Sequence, residues 1–257
     1  MAKNIRIAFW LLLLVVVAGR TLLDRYQTQS WKNTLWVGVF PLNGDSSPQA
    51  ERYIANLTPE DFSSIETFFA AEAHRYGVSL EQPIHVELYP EGKELPPQLA
   101  RDAGVLDVAW WSLKLRWFAS HAEKVPGRTP PRIRLFVLYH DPASLPVVPD
   151  SHGLQKGLMG VVHVFADNKM AGSNNIVIAH ELMHTLGATD KYDFASGVPS
   201  FPTGYGDPER KPLFPQPTAE IMAGQRVLSP TNFAMPTSLR DVVVGPTTAG
   251  EIRWTHH

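Results

Sequence analysis

The stretch IVIAHELMHTLGATDKYD, residues 176–193, constrains this chain more than any other part of it. It places His180 and His184 four residues apart, with Glu181 between them. On an α-helix each residue advances by about 100°, so both imidazoles project from one face toward a single ion, and Glu181 points beside that ion. Apolar residues fill the adjoining arc, which predicts a buried helix where two unpartnered histidines would be costly. The stretch therefore predicts a metal site, with Glu181 placed to accept a proton from a water on the metal. The alternative is a helix whose histidines only find hydrogen-bond partners.

A third metal ligand must come from outside the histidine pair, and the candidates are carboxylates. Gly187 can adopt the left-handed conformation that ends a helix and turns the chain back, which brings Asp190 within reach. Two histidines and one carboxylate form a known catalytic zinc set. Asp193 is a close rival and Glu220 a distant one, so the sequence favours Asp190 and leaves the other two open.

The overall composition excludes several other kinds of site. The chain has no cysteine, which rules out disulfides, thiolate ligands and a cysteine nucleophile. A net charge of -2 gives no electrostatic reason to expect nucleic acid as a partner. A hydrophobic content of 44% with 19% charged residues is typical of a folded protein.

The N-terminus predicts export. An apolar run covers residues 7–18, with Lys3 and Arg6 before it and Arg20 after it. This pattern is typical of a signal sequence or an uncleaved signal anchor, and the positive residues before the run would stay in the cytoplasm. We expect a single-pass membrane protein with a periplasmic or extracellular catalytic domain, or a secreted protein if the segment is cleaved. A buried N-terminal helix is the alternative.

Strand and helix patterns alternate along the rest of the chain. TLWVGVFPLNG, ending at Pro41, and PIHVELYP predict strands, and between them Thr58 caps a helix with Pro59 at its first position and Asp61 three residues after the cap. A second helix is expected from about residue 105 to 122. RIRLFVLYH and GLMGVVHVFAD predict two further strands joined by a loop at 141–157, and the motif helix follows.

These patterns predict an α+β protein with one main domain. Residues 1–30 would form the anchor and a polar stalk, and residues 31–257 the catalytic domain, divided into an upper part (31–187) and a proline-rich, irregular lower part (188–257). In the second helix, Trp110, Trp111 and Trp117 are expected to pack in the core, with a membrane-facing patch as the alternative.

The string HELMHTLGATD resembles the metzincin zinc-peptidase signature H-E-x-x-H-x-x-G-x-x-H, with aspartate in the last place. Aspartate as third ligand is found in the snapalysin-like minority of such peptidases. The string is also similar to a group of bacterial membrane-anchored proteins that share the core HELxHTLGATDKYD. The family fold is a mixed sheet with a backing helix and an active-site helix, followed by a chain reversal at the glycine and a mostly irregular lower subdomain. The resemblance implies one catalytic Zn²⁺ and a peptide or protein substrate.

Supporting roles follow for residues outside the motif helix. In the family a methionine-containing turn lies beneath the metal, and Met222 in AEIMAG is the candidate, with an ordinary core methionine as the alternative. Tyr192 is a candidate for stabilising the oxyanion or is a structural tyrosine. The segment VVHVFAD resembles the family's edge strand, which pairs with an extended peptide. His163 within it is expected to be structural.

The sequence therefore predicts zinc-dependent peptide hydrolysis by an endopeptidase. His180, His184 and Asp190 would bind Zn²⁺, and Glu181 would act as general base. Two alternatives stay open: a non-catalytic zinc-containing binding or scaffold module, and a metallohydrolase of another amide such as a cell-wall peptide. The intact Glu181 argues against the scaffold module, because structural zinc sites are usually closed by a fourth protein ligand and do not need a general base.

Overall fold

The computed structural model describes residues 19, 27–99, 104–122, 130–155 and 158–255. Within these ranges the helices are α1 (Pro48–Ala55), α2 (Ser63–Arg75), α3 (Val105–Ala122), α4 (Ala171–Leu186) and α5 (Pro246–Glu251). The strands are β1 (Leu35–Asn43), β2 (Ile84–Leu88), β3 (Ile133–His140), β4 (His152–Leu154), β5 (Met159–Phe165), β6 (Ala219–Glu220), β7 (Arg226–Ser229), β8 (Asn232–Ala234) and β9 (Val242–Val243). The protein belongs to the α+β class, as predicted.

A mixed five-stranded sheet organises the upper part of the molecule, with the order β2-β1-β3-β5-β4. The pairs β1–β2, β1–β3 and β3–β5 are parallel, and β4 runs antiparallel to β5. Buried parallel strands need nearly continuous apolar runs, which LWVGVFPLN and IRLFVLYH supply. Strand β1 continues through Pro41 to Asn43, because beyond Val39 it pairs with β3 and no longer with β2.

Helices cover both faces of the sheet, and strand alternation divides the core accordingly. Leu135 and Val137 of β3 pack in the larger core with α1, α2 and α4. Phe136 and Leu138, which alternate with them, pack in a second core beneath α3. The helix α4 is therefore held on one face of the sheet, close to the edge formed by β4.

Two predicted helices are found, and the tryptophan prediction is only partly correct. At the start of the first, the Thr58 N–H donates to the Asp61 carboxylate at 2.8 Å, and a single 3-10 turn leads into α2. Helix α3 spans Val105–Ala122 as expected. Trp111 is buried, but Trp110 and Trp117 are 61% and 66% exposed. Helix α3 has a second apolar side, and the core covers only one of the two.

The lower part, from residue 188 onward, contains only short strands and α5, in agreement with its proline content. It packs against the segment 27–31, which the sequence assigned mostly to a polar stalk. Gln29 is buried and its side-chain amide donates to the Leu186 carbonyl, while the Trp31 indole N–H donates to the Ile252 carbonyl at 2.8 Å. Both segments are thereby fixed near the end of α4.

The predicted membrane localisation requires correction. None of the helices in the described part of the chain combines the length and the apolar character that a membrane crossing requires. Residues 7–18, on which the single-pass prediction was based, lie outside the described residues. We therefore do not retain the prediction of a membrane-anchored, extracytoplasmic protein.

Candidate metal centre

Helix α4 carries the motif and is fixed at both of its ends. Near its start the Asn174 side-chain amide donates to the Phe165 carbonyl at 2.8 Å, which ties the helix to the end of β5. At its end Gly187 has a φ of 103°, so the chain leaves the helix in the left-handed conformation that the sequence predicted. Leu182 and Leu186 are buried in the core, and this directs His180 and His184 toward the opposite side.

Backbone carbonyls fix the tautomers of both histidines. His180 Nδ1 lies 2.9 Å from the Ile221 carbonyl oxygen, and His184 Nδ1 lies 2.9 Å from the Ala188 carbonyl oxygen. A carbonyl oxygen only accepts hydrogen bonds, so each Nδ1 carries the proton and donates it. In the neutral imidazole each Nε2 then keeps its lone pair, and this tautomer is the form of histidine that binds metal through Nε2.

Three lone-pair atoms converge on one point beside α4. The two Nε2 atoms are 3.1 Å apart, and Asp190 Oδ1 lies 3.2 Å from that of His180 and 3.3 Å from that of His184. Ligand atoms at about 2.0–2.1 Å from a tetrahedral zinc ion are separated by about 3.3 Å, so the triangle fits zinc closely. Asp190 Oδ1 is buried without a hydrogen-bond partner. Three acceptors this close repel one another unless a cation lies between them.

The electrostatics of the triangle favour a positive charge. Burial lowers the pKa of His180, but the Asp190 and Glu181 carboxylates outweigh this effect and raise it to about 9. Burial likewise raises the pKa of Asp190, but its interactions with the two imidazoles bring that pKa well below its usual range. The raised pKa of His180 and the lowered pKa of Asp190 both indicate that positive charge at the imidazole nitrogens stabilises the Asp190 carboxylate.

The rival Asp193 lies away from the triangle. Its carboxylate is exposed and accepts hydrogen bonds from the Ser196 backbone N–H at 2.9 Å and from the Ser196 hydroxyl at 2.7 Å. It closes a surface turn, and the structure brings only Asp190 of the two aspartates to the histidines.

The other rival, Glu220, shapes the turn that contains Met222. Glu220 is fully buried, and its carboxylate accepts four hydrogen bonds, from the N–H groups of Met222, Ala223 and Gly245 and from the Thr248 hydroxyl. The turn presents the Ile221 carbonyl to His180. The Met222 side chain is itself fully buried in the core. Glu220 thus supports the site through the backbone, without reaching it.

Glu181 lies next to the triangle in a confined position. Ligand atoms of His180, Glu181 and His184 lie within 4.8 Å of one another, and Glu181 Oε2 is buried without a hydrogen-bond partner. Burial raises the pKa of Glu181, and the two histidines partly oppose this. Gly153 of β4 packs directly against it: a Cβ at that position would lie 3.2 Å from Glu181 Oε2. Gly153 is not predicted as a site residue, because a single glycine in a loop segment does not indicate that the backbone packs closely against Glu181.

Tyr192 lies near Asp190 and lines the same cleft. Burial, together with the nearby Asp190 and Glu181 carboxylates, raises the pKa of Tyr192 to about 12. The phenol is therefore neutral at neutral pH.

The triangle opens onto a cleft of about 780 Å³. Its walls come from three parts of the fold: the exposed side of α4, residues 151–154 of the edge strand and its approach, and Val108 and Trp111 of α3. Tyr192 and Phe194 close it from below. The edge strand is β4 and not β5, so the expectation that VVHVFAD forms the edge is wrong. Strand β5 lies inside the sheet, between β3 and β4.

His163 of β5 is buried away from the triangle. Its Nδ1 lies 2.9 Å from Nε2 of His140, and the two rings stack. The structure therefore does not bring His163 to the candidate metal centre.

Comparisons with known proteins add no family assignment: no family model matches the chain, and no curated protein matches it.

Proposed function

We propose that this protein is a zinc-dependent peptidase of the metzincin type, with His180, His184 and Asp190 as the metal ligands. The observation that carries the proposal is the triangle of donor atoms from two histidines and an aspartate, with edges of 3.1, 3.2 and 3.3 Å, beside the buried Glu181 carboxylate. A structural zinc site would be closed by a fourth protein ligand, whereas this triangle opens onto a cleft.

The surrounding fold supports the metzincin type. The mixed sheet, the active-site helix α4, the left-handed Gly187 and the irregular lower part occur in the order that the family plan requires. The turn with Met222 lies beneath His180, where that plan places its methionine turn.

The edge strand supports an extended peptide as substrate. Among the described residues β4 pairs on one side only, with β5, and its residues line the cleft. An unpaired strand edge binds an extended peptide by adding it as a further strand, with backbone hydrogen bonds that are independent of the peptide's sequence. A peptide bound in this way would pass the triangle and Glu181.

The residues of the chain divide the chemistry among them. Zinc, when bound, supplies a Lewis acid that polarises the scissile carbonyl and lowers the pKa of water. Glu181 accepts the proton of the attacking water and delivers it to the departing amine. Its confined position raises its pKa, which brings the base closer to the working pH. The Ile221 and Ala188 carbonyls hold the proton of each neutral imidazole at Nδ1, which leaves Nε2 as the metal-binding atom.

Glu181→Gln tests the mechanism, because it removes the base and preserves shape. We expect kcat on a peptide library to fall by about 10²–10⁴-fold, the usual contribution of a general base, while bound zinc stays near one equivalent. Asp190→Ala should weaken zinc binding by more than the roughly 10–100-fold that loss of an outer-shell partner costs, and Asp193→Ala serves as its matched control. Full activity of Glu181→Gln, or zinc loss only in Asp193→Ala, would refute these assignments.

The two alternatives give different results in the same assays. A scaffold module would bind zinc with wild-type affinity and cleave no peptide. A metallohydrolase of another amide would leave the peptide library intact and release new amines from cell-wall peptide, with the same loss in Glu181→Gln. Mass spectrometry of the products separates these outcomes.

A further inference from the structure

The third ligand of the proposed metal site lies on a segment without regular structure. His180 and His184 are held by the hydrogen bonds of α4, but residues 188–191, which carry Asp190, belong to neither helix nor strand. A metal ligand must be held to within about 0.5 Å of its position to bind well, so a ligand on such a loop needs support from outside it.

A buried lysine next to Asp190 provides this support. Lys191 is only 5% exposed, and its Nζ donates to the Thr189 carbonyl at 2.6 Å and to the Thr189 hydroxyl at 2.8 Å. The same Nζ lies 2.8 and 3.0 Å from the two carboxylate oxygens of Glu251 in α5. These side-chain hydrogen bonds tie the loop to itself and to α5, and none of them is with Asp190.

The residue on the other side of Asp190 is bound to the same carboxylate. The Thr189 N–H donates to one Glu251 oxygen at 2.9 Å, and the Thr189 hydroxyl donates to the other at 2.7 Å. Glu251 therefore holds the residue before Asp190 and the residue after it. With both neighbours fixed to one rigid group, the direction of the Asp190 side chain is restricted.

Backbone contacts hold both partners of this ion pair. The Lys191 N–H donates to the Met222 carbonyl at 3.0 Å, and the Lys191 carbonyl accepts from the Ser200 N–H at 2.7 Å. On the other side, the Gln29 side-chain amide donates to the Glu251 carbonyl at 3.2 Å. The ion pair thus connects the loop to the methionine turn and to the chain segment at residue 29.

A purely stabilising role does not account for this arrangement. Lys191 is buried and the Glu251 side chain is 26% exposed, so the pair pays a desolvation cost, and well-packed apolar residues of similar volume commonly stabilise a fold equally well or better. What apolar residues cannot supply is the set of directed hydrogen bonds that fixes the loop on both sides of Asp190. The ion pair therefore contributes the position of the loop around Asp190.

We infer that Thr189, Lys191 and Glu251 form a positioning clamp that fixes Asp190 as the third metal ligand. The inference rests on the proposed metal site. None of the three touches the metal, so they are positioning residues, and their contribution lies in the affinity and coordination geometry of the metal.

The experiment uses Lys191→Met, Glu251→Gln and the double variant Lys191→Met/Glu251→Leu in the full chain. Zinc affinity is measured by competition with a chromophoric chelator, and coordination by the visible spectrum of the Co²⁺ form, which is intense for four-coordinate and weak for six-coordinate cobalt. Thermal unfolding of the metal-free protein reports stability separately.

We expect each single variant to bind zinc about 10–100-fold more weakly, as for other outer-shell partners, and to give a weaker cobalt spectrum. The double variant should recover the unfolding temperature of the metal-free protein without recovering either metal property. Arg75→Met is the matched control: it breaks the Arg75–Glu72 ion pair away from the site and should leave zinc affinity and the cobalt spectrum unchanged.

The outcomes separate the inference from the function on which it rests. If Asp190→Ala loses zinc while both clamp variants keep wild-type affinity and spectrum, the clamp is wrong and the metal site stands. If Asp190→Ala also binds zinc like the wild type, the proposed site itself fails. If the double variant recovers metal affinity together with stability, the ion pair is structural only. Glu251→Gln is nearly isosteric, so it keeps the test decisive if Lys191→Met does not fold.

Discussion

Replacing Gly153 with alanine should push the edge strand β4 away from helix α4. A methyl group at this position would lie 2.5 Å from the Glu181 carbonyl oxygen and 2.6 Å from His184 Cβ. Both atoms belong to the helix backbone or are attached directly to it, so they cannot turn aside like the end of a flexible side chain. Favourable contacts between heavy atoms begin at about 3.5 Å, so β4 must move outward by about 1 Å.

This displacement has separate consequences for stability and for catalysis. Overpacking of a core contact costs about 1–3 kcal/mol, and in a protein of this size each kcal/mol lowers Tm by about 2–4 °C. We therefore expect Tm to fall by about 2–12 °C. Catalysis should suffer more, because a peptide bound to β4 would move relative to Glu181, and a misplacement of about 1 Å costs about 10²-fold in rate.

The assays are thermal unfolding and kcat/KM on a peptide substrate, and Gly160→Ala is the matched control. Gly160 pairs with Gly153 in the sheet, but a methyl group there would meet only the flexible end of Leu135, at 3.1 Å. The control should keep nearly wild-type Tm and activity. If Gly153→Ala behaves like the control, the close packing of β4 on α4 is wrong. If it loses stability but not activity, β4 does not position the substrate.

Two further substitutions test other parts of the structure. Burial, reinforced by His140 and His152 and opposed by Asp150, lowers the pKa of His163 from 6.5 to about 4. The folded pKa lies below the unfolded one, so stability is lost as pH falls from about 6.5 to about 4, and His163→Phe should remove about 3 kcal/mol of that loss. Equal acid sensitivity of the two proteins in urea unfolding at pH 7 and pH 4 would contradict this. Glu220→Gln replaces one acceptor oxygen by a donor, which faces at least one backbone N–H group in either orientation of the amide, so it should cost about 1–3 kcal/mol of unfolding free energy. Bound zinc should remain near one equivalent, and loss of zinc at equal stability would instead make Glu220 a ligand.

The sequence predicted those parts of the site that depend on neighbouring residues. The spacing within HELMH places His180, Glu181 and His184 on one side of any helix, and the left-handed end at Gly187 follows from the absence of a side chain there. The capping of the first predicted helix by Thr58 and Asp61 is equally local. In each case a few consecutive residues determine the geometry.

Features that depend on distant pairing escaped the sequence analysis. Strand β4 has three residues, too few to show an alternating pattern. The sequence therefore predicts a loop at this position and places the edge of the sheet at β5. Helix α3 is apolar on two sides, and its sequence does not indicate which side the sheet covers. Lys191 and Glu251 are 60 residues apart, and their pairing is determined by tertiary packing.

The dependence of Asp190 on Glu251 also sets an order of events during biosynthesis. When only the motif helix has emerged from the ribosome, the chain already has both histidines and Glu181. The loop that bears Asp190 is then still unanchored. The clamp closes only after residue 251 has emerged and α5 has docked beside Gln29, through contacts between segments 222 residues apart in sequence. Such long-range contacts form late in folding, because the chain must first pay the entropy of closing a long loop. A peptidase of the proposed type that folds in this order would complete its metal site only after most of its own fold has formed and is protected from cleavage.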